Sequence, residues 1–373
     1  MADSSYLRKK KLGYFSKTVF TANIFAVLAL LLSYGASFID PKSFWPLAFF
    51  GLGYLPILLI NGGFIVYWLL RRKRFALVSI TAILLGWPLL IKHINFRNDN
   101  EKILVKADSV LRVMSYNVHL FQRYDDSKDN FRAETIEFIN TLNPDIVCFQ
   151  EFYSRLRGTK QFTKKLKEKG DFEDYYFEPF QQNDYEGYGQ AIFSRYPIIN
   201  KGTITQNSFG LNRIIFADIK RAGDTIRVYN VHMRSFALQD EDKDFIQKSP
   251  SEQMKDEKQT IRLGRKLKRA FTSRSEQAKT LLNHIQNNCP HRYIIMGDFN
   301  DTPMSYSVNL VSKNMLNAFA EKGFGWGVTH FGVLPIFQID YILADKKLKV
   351  NDYGIIKEKL SDHYPIWADL SLH

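Results

Sequence analysis

Hydrophobic and polar positions divide the chain into two textures. Residues 18–39, 43–70 and 75–91 carry no charge at all. A bilayer-spanning helix needs roughly 17–25 mostly apolar residues. Soluble helices rarely run that far without a polar face. The pattern predicts three transmembrane helices, at about 18–39, 44–70 and 75–91, in a membrane anchor over 1–97. A cleavable leader would account for the first run alone, and two more follow it. Residues 98–110 are polar and read as a linker, and a single domain is expected over 111–373.

From Leu111 onward short apolar runs alternate with segments of helical period. Strands are expected at 111–117, 145–150, 175–180, 190–194, 213–220, 225–230, 293–296, 339–344 and 365–370. Helices are expected at 131–142, stopped by Asn143-Pro144, and at 154–169 and 275–286. The stretch 236–272 is acidic first and basic later, with a stripe of Ile261, Leu263, Leu267, Ala270 and Phe271. It reads as a solvated helix extending the next one, its stripe packed on the domain. A basic amphipathic helix on an anionic membrane is the alternative.

Charge sharpens this division. Of the formal +13, residues 1–97 supply +10, from 12 Lys/Arg against 2 Asp/Glu, while the other 276 residues hold 39 against 36, or +3. The basicity therefore flanks the apolar runs and gives little support to a nucleic-acid partner. Arg8, Lys9, Lys10, Lys11 and Lys17 precede the first run, and Arg71–Arg74 separate the second from the third. Positive residues stay in the cytoplasm. The C-terminal domain is then expected outside the cytoplasmic membrane of a bacterial-type cell. Two cysteines, Cys148 and Cys289, barely constrain the compartment.

Six polar clusters stand at the ends of the apolar runs: Asn117 in MSYNVHLF, Glu151 in DIVCFQEF, His232 in VYNVHMRS, Asp298 and Asn300 in GDFNDTP, Asp340 in IDYILAD, and Asp362-His363 in SDHYPI. Strand ends are where an α/β scaffold gathers side chains around one point. Hydrolysis of a phosphoester needs neutralised phosphoryl oxygens, an oriented water and help for the leaving oxygen. Carboxylate and amide oxygens suit a hard cation such as Mg²⁺ or Mn²⁺. Glu151 is the first candidate ligand, with Asn117 and Asp340 nearby. Asp298 can take a proton from water and Asn300 can hold that water. Asp362 can ligate metal or hold the ring of His363, which can donate to the phosphoryl group. His232 can sit opposite the metal and assist the leaving group, and His119 shares the strand side of Asn117. Tight zinc spacing is absent.

In this order and spacing, LRVMSYNVHLF, DIVCFQE, GQAIFSRYPI, VYNVH, IIMGDFNDTP, IDYIL and SDHYPI resemble the endonuclease/exonuclease/phosphatase superfamily over about residues 111–370. The resemblance implies a four-layer α/β sandwich with two mixed β-sheets. It implies magnesium on Glu151 and Asn117, with Asp298 as general base and Asn300 orienting water. Asp340 would support the metal or the histidine, Asp362-His363 would act at phosphorus, and His232 would match the histidine of the deoxyribonuclease and sphingomyelinase branches. Gln338 stands where many relatives place an arginine, and FQIDYIL replaces the signature of inositol polyphosphate 5-phosphatases. The expected protein is a membrane-anchored phosphodiesterase acting on a lipid head group or another extracytoplasmic phosphodiester. The alternatives are an extracytoplasmic nuclease or a non-catalytic binding module on the same fold.

Overall fold

A computed structural model describes residues 13–96, 109–123, 130–204, 212–253, 255–332 and 337–372. All but the last two residues of the expected linker lie outside the described residues. The apolar N-terminal region folds as α1 (Tyr14–Gly35), α2 (Pro41–Phe44), α3 (Pro46–Leu52), α4 (Tyr54–Arg71), α5 (Ala76–Leu85) and α6 (Trp87–Leu90). Among the described residues only α1 and α4 are long and apolar enough to cross a membrane. This corrects the expectation of three such helices. The second run starts anew at Pro46 and Tyr54, on either side of Gly53. The third breaks at Gly86 into helices of ten and four residues. Gly86 is required there, because a Cβ would fall 2.1 Å from the Tyr34 ring. At 1.5 Å per residue, α5 covers about 15 Å, half of a hydrocarbon core.

This bundle carries a hydrogen-bonded polar chain in its interior and apolar side chains on its surface. Asn23 Nδ2 donates to Ser79 Oγ at 2.7 Å, Ser79 Oγ to Asn61 Oδ1 at 3.0 Å, and Trp68 Nε1 to Asn23 Oδ1 at 3.0 Å. All four residues are fully buried, while Phe25, Leu59, Val66 and Leu70 are exposed.

The rest of the chain runs β1 (Ile94–Asn95), β2 (Leu111–Asn117), α7 (Arg132–Leu142), β3 (Ile146–Arg155), α8 (Phe162–Lys169), β4 (Asp174–Gln182), β5 (Glu186–Ser194), β6 (Ile198–Ile204), β7 (Ile214–Arg221) and β8 (Asp224–His232). It continues through α9 (Asp240–Gln247), α10 (Pro250–Gln253), α11 (Glu257–Asn288), β9 (Arg292–Asp298), α12 (Tyr306–Ser312), β10 (Met315–Asn317), α13 (Ala318–Lys322), β11 (Gly325–Trp326), β12 (Asp340–Asp345), β13 (Leu348–Ile355) and β14 (Ile366–Leu372). One expected helix is corrected. Alternating burial carries β3 to Arg155, so the helix expected over 154–169 begins only at Phe162. Only the later part of the charged stretch joins its successor, in the 32-residue α11, while its earlier part forms the separate α9 and α10.

Two six-stranded sheets form, ordered β10-β12-β9-β8-β7-β6 and β13-β14-β2-β3-β5-β4. Each is mixed: β2–β3 and β8–β9 pair in parallel, and all other neighbours are antiparallel. Val113, Cys148 and Ile192 of one sheet meet Ile215, Val228 and Met296 of the other in the central core. Helices cover both outer faces. On one, Ile139 of α7 and Leu166 of α8 join Phe149 and Phe193. On the other, Leu281 of α11 and Val311 of α12 join Tyr229 and Ile295. The result is the four-layer α/β sandwich with two mixed sheets that the sequence suggests.

The N-terminal bundle is packed on this sandwich. Met304 is buried among Leu30, Tyr54 and Leu58, and its carbonyl accepts from Ser37 Oγ at 3.1 Å. Asp40 accepts from Ser275 Oγ at 2.7 Å and from Lys279. Phe49 meets Phe271 edge-on at 5.3 Å. Beyond α6, β1 pairs with β11, Ile94 opposite Trp326.

Candidate active site

The two parallel pairs create the site. In one sheet Asn117 ends β2 beside Gln150 of β3; in the other His232 ends β8 beside Asp298 of β9. Parallel neighbours end on the same edge, and the packed sheets bring these edges together. Glu151 sits on a β-bulge, where the register slips between Phe149 and Phe152 and its own φ is 51°. A bulge re-aims a side chain that the strand's alternation would turn elsewhere. Gly297 has φ 144°, and a Cβ there would lie 2.0 Å from the Val231 carbonyl oxygen. Only glycine allows β9 to approach β8 so closely just before Asp298. The antiparallel β12 sets Asp340 directly opposite Asp298. His363 comes from the loop before β14.

Asn117 bridges two carboxylates. Its Nδ2 lies 3.1 Å from Asp298 Oδ2 and 3.4 Å from Glu151 Oε1, while its Oδ1 accepts from the His119 amide at 3.1 Å. Asp298 Oδ1 accepts from the Asn300 amide at 2.7 Å and Oδ2 from Asn300 Nδ2 at 2.9 Å. His363 Nδ1 lies 2.9 Å from Asp340 Oδ2, and its Nε2 3.8 Å from Asp298 Oδ2. His232 Nε2 lies 3.7 Å from Glu151 Oε1 and 3.8 Å from Asp298 Oδ2. Asp362 stands at the rim, with His119 Nδ1 3.7 Å from one oxygen and His330 Nε2 3.8 Å from the other. The structure therefore gathers Asn117, Glu151, His232, Asp298, Asn300, Asp340, Asp362 and His363 around one point, and His119 with them.

The electrostatics divide this group. Burial, reinforced by the Asp340 charge and opposed by His363, pushes Asp298 up to about 7. Burial alone would discharge His363, but the Asp340 and Asp298 carboxylates outweigh it and hold the imidazole well above its ordinary value. Burial lowers His232, so that ring is neutral. Asp362 is held well below the usual carboxylate range despite its burial, by the neighbouring histidines. An acid at about 7 with an imidazolium and a neutral imidazole each 3.8 Å from its Oδ2 is suited to proton traffic.

Three groups escaped sequence reasoning. His330 belongs to a loop without a period, and its ring meets His363 edge-on at 4.9 Å. Thr329 Oγ1 accepts from the Ile339 and Asp340 amides at 3.1 Å each, fixing the entry to β12. Arg274 is fully buried on α11, donates to the Asn300 carbonyl and lies 3.3 Å from Asp301 Oδ2. Helical spacing from Ala270 and Ala278 placed Arg274 on the packed face and could have revealed it. Asn230, by contrast, is structural. Its Nδ2 donates to the Phe149 and Ala191 carbonyls at 2.9 and 3.0 Å, and its Oδ1 accepts from Gln150, tying the two sheets together.

Carboxylate, amide and imidazole donors fit a divalent cation. Asp298, Asp340 and His363 offer ligand atoms within 4.8 Å of one another, as do His330, Asp362 and His363. Both ring nitrogens of buried His232 lack a hydrogen-bond partner while Nε2 faces Glu151, which leaves room for a further group between them. The site opens into a cleft of about 700 Å³.

A family model described as the Endonuclease/Exonuclease/phosphatase family matches residues 114–363. A second, described as Domain of unknown function (DUF8431), matches residues 16–93. No curated protein matches the chain. Among solved structures, an endonuclease/exonuclease/phosphatase family protein from Bacteroides thetaiotaomicron is 17% identical, with a TM-score of 0.54, covering 72% of this chain and 100% of that one. The endonuclease/exonuclease/phosphatase from Beutenbergia cavernae DSM 12333 is 17% identical, with a TM-score of 0.52 and coverages of 71% and 72%. A mannosyl-6-phosphatase from Bacteroides thetaiotaomicron VPI-5482 is 16% identical, with a TM-score of 0.52 and coverages of 70% and 100%. At these identities the likeness is one of fold.

Proposed function

The chain belongs to the endonuclease/exonuclease/phosphatase family of phosphoester hydrolases, and on that premise we propose that it is a membrane-anchored, divalent-metal-dependent phosphodiesterase with an outward-facing catalytic domain. The observation that carries the proposal is the meeting of Glu151, Asn117, Asp298 and His363, from four separate segments, at one cleft.

Each side chain has a task in this reading. Asp298 accepts a proton from the attacking water, and its position at about 7 lets it do so near neutrality. Asn300 and Asn117 hold Asp298 and orient that water. His363, kept protonated, donates from Nε2 to a non-bridging phosphoryl oxygen while Asp340 grips Nδ1. His232 faces the leaving oxygen from the opposite side. Asp362 steadies the rim histidines. A bound Mg²⁺ or Mn²⁺, held by Glu151 with Asn117 beside it, would supply the charge neutralisation that phosphoryl transfer requires.

The N-terminal bundle supports anchoring. Its exposed surface is apolar and its interior is hydrogen-bonded, as expected where lipid is the solvent. All of its contacts with the sandwich described above lie at the Ser37–Tyr54 end of α1 and α4 or beyond α6. The Arg71–Arg74 turn lies at the other end, which supports outward placement. Exposed Trp45, Trp87 and Trp326 gather at the sandwich end, where interfacial aromatics belong.

The substrate classes in view are lipid head groups and other extracytoplasmic phosphodiesters, nucleic acid being the alternative. The likeness to a mannosyl-6-phosphatase makes a phosphosugar monoester a third arm of the assay. A non-catalytic module would have no use for the proton-transfer set assembled here. Purified full-length protein should hydrolyse an activated nitrophenyl phosphodiester with Mg²⁺ and not with chelator. Asp298→Ala and His363→Ala should each lower turnover by about 10²–10⁴-fold with folding intact. Hydrolysis that ignores chelator, or survives both substitutions, would overturn the reading. A C-terminal reporter fusion tests the side of the membrane.

A further inference from the structure

The walls of the cleft are of two kinds. Glu151, Asp298 and His363 line it, and so do Leu52, Phe236, Leu238 and Ile246. Leu52 is the last residue of α3 and thus part of the anchor; Phe236, Leu238 and Ile246 belong to the charged stretch 236–272. We propose that these residues form a subsite for hydrocarbon, so that the anchor completes the active site and the substrate is a phosphoester carried on a lipid. The inference rests on the hydrolase reading above and names its substrate class.

The wall is built, not incidental. Leu52 is set by its neighbour Gly51, whose Cβ position lies 2.8 Å from Ala36 Cβ and 3.3 Å from the Met304 carbonyl oxygen, a contact too close for a larger residue. Met304 follows the Asp298–Asn300 loop by four residues, so anchor and catalytic groups share one short segment. Phe236 is clamped between the Arg274 guanidinium, 4.4 Å from its ring, and Phe271, edge-on at 5.8 Å. Ile246 rides on α9, which is locked to α11 by one fully buried carboxylate. Asp242 accepts from Arg262 at 2.9 Å, from the Gln239 amide at 2.9 Å, and from Lys266.

The rest of the cleft argues for lipid over nucleic acid. A nucleic-acid groove needs free cations along a phosphate track. The cations lining this cleft include Arg123 and Lys243, which are paired with Glu134 and with Asp240, the latter at 3.0 Å. A volume of about 700 Å³ exceeds what one phosphate needs and falls within the range for ligands with an apolar body.

The test uses the full chain in nanodiscs with Mg²⁺ and linear alkyl phosphonates from methyl to hexyl, whose C–P bond is not hydrolysed. Binding is measured calorimetrically, with partition into empty nanodiscs subtracted. Affinity should rise by up to about four-fold per methylene, the equivalent of about 0.8 kcal/mol each. Leu52→Asn and Ile246→Asn, both at half-buried positions, should flatten that slope. Equal affinity across the series, no binding of any member, or an unchanged slope in both variants would overturn the proposal. Failure of the hydrolase reading would look different: no Mg²⁺-dependent turnover of methyl nitrophenyl phosphate, whatever the phosphonate slope.

Discussion

Asp340 grips His363 from the side away from the reaction: its Oδ2 lies 2.9 Å from Nδ1, leaving Nε2 directed at Asp298, 3.8 Å away. Asp340 opens β12 of one sheet and His363 stands in the loop that leads into β14 of the other, so this contact ties the two edges together.

Asp340→Asn keeps the shape of that grip and removes its charge. The carboxylate is the leading influence raising His363, so the variant's imidazole loses its proton at lower pH. The donating form exists below the folded pKa. The alkaline limb of the pH–rate profile should therefore move to lower pH, and turnover at neutrality should fall by about 10²-fold or more. A variant with lower turnover but an unmoved alkaline limb would leave Asp340 a structural role only.

A second pH dependence belongs to the charged stretch 236–272. Asp242 is held at about 2: burial alone would raise it, and its bonds to Lys266, the Gln239 amide and Arg262 outweigh that. A depressed carboxylate contributes stability that is fully present above its unfolded value, near 3.9, and is lost as pH falls toward 2. The contribution is about 1–2 kcal/mol, since Arg262 and Lys266 remain partly in water. Hydrogen exchange across 240–247 should quicken below pH 4, and Asp242→Ala should show that faster exchange already at pH 7. Equal protection in parent and variant would detach α9 from this ion pair.

The sequence revealed the ladder more fully than the joints. The strand over 111–117 coincides with β2, where every residue is buried, Arg112, Ser115 and Asn117 included. Asn117 and His232 come beside Gln150 and Asp298 because a parallel pair delivers both of its C-terminal ends to one edge, whereas Asp340 arrives at the start of antiparallel β12 and Asp362-His363 from the loop before β14. What could not be read depends on contacts distant in the chain. The bulge at Glu151 exists because of its partner β5. The break at Gly86 exists because of the Tyr34 ring, 52 positions earlier. His330 has no motif around it and reaches the site only because its loop bridges to His363. The packing of Leu30 and Tyr54 on Met304 makes the N-terminal bundle and the sandwich neighbours, where their compositions suggested a tether between separate parts.

The buried chain Trp68–Asn23–Ser79–Asn61 predicts a measurable contribution to the stability of the N-terminal bundle. Asn61 is fully buried and also donates to the Ala26 and Ile57 carbonyls at 3.0 Å each. Asn61→Leu removes the acceptor of Ser79 and should lower bundle stability by about 1 kcal/mol in mixed micelles, the scale of interhelical hydrogen bonds in lipid. Unfolding unchanged within about 0.3 kcal/mol would mean that apolar packing alone holds α1, α4 and α5.

Metal dependence can be tested without catalysis. A cation that binds the folded chain alone raises its melting temperature by mass action, with a stabilisation of about 2.7 kcal/mol at a hundredfold excess over its dissociation constant. Glu151 is the carboxylate the bulge turns into the cleft, beside the partnerless nitrogens of His232. Glu151→Gln preserves the volume and removes the charge a hard cation requires. The parent should therefore melt higher with rising Mg²⁺ or Mn²⁺, and Glu151→Gln should lose most of that rise. Asp340→Asn should retain it, because Asp340 is engaged with His363 Nδ1. If Asp340→Asn abolished the response and Glu151→Gln kept it, the cation would belong to the Asp298–Asp340–His363 cluster instead. His363 would then be a ligand, and the donor to phosphorus would have to be His232 or His330.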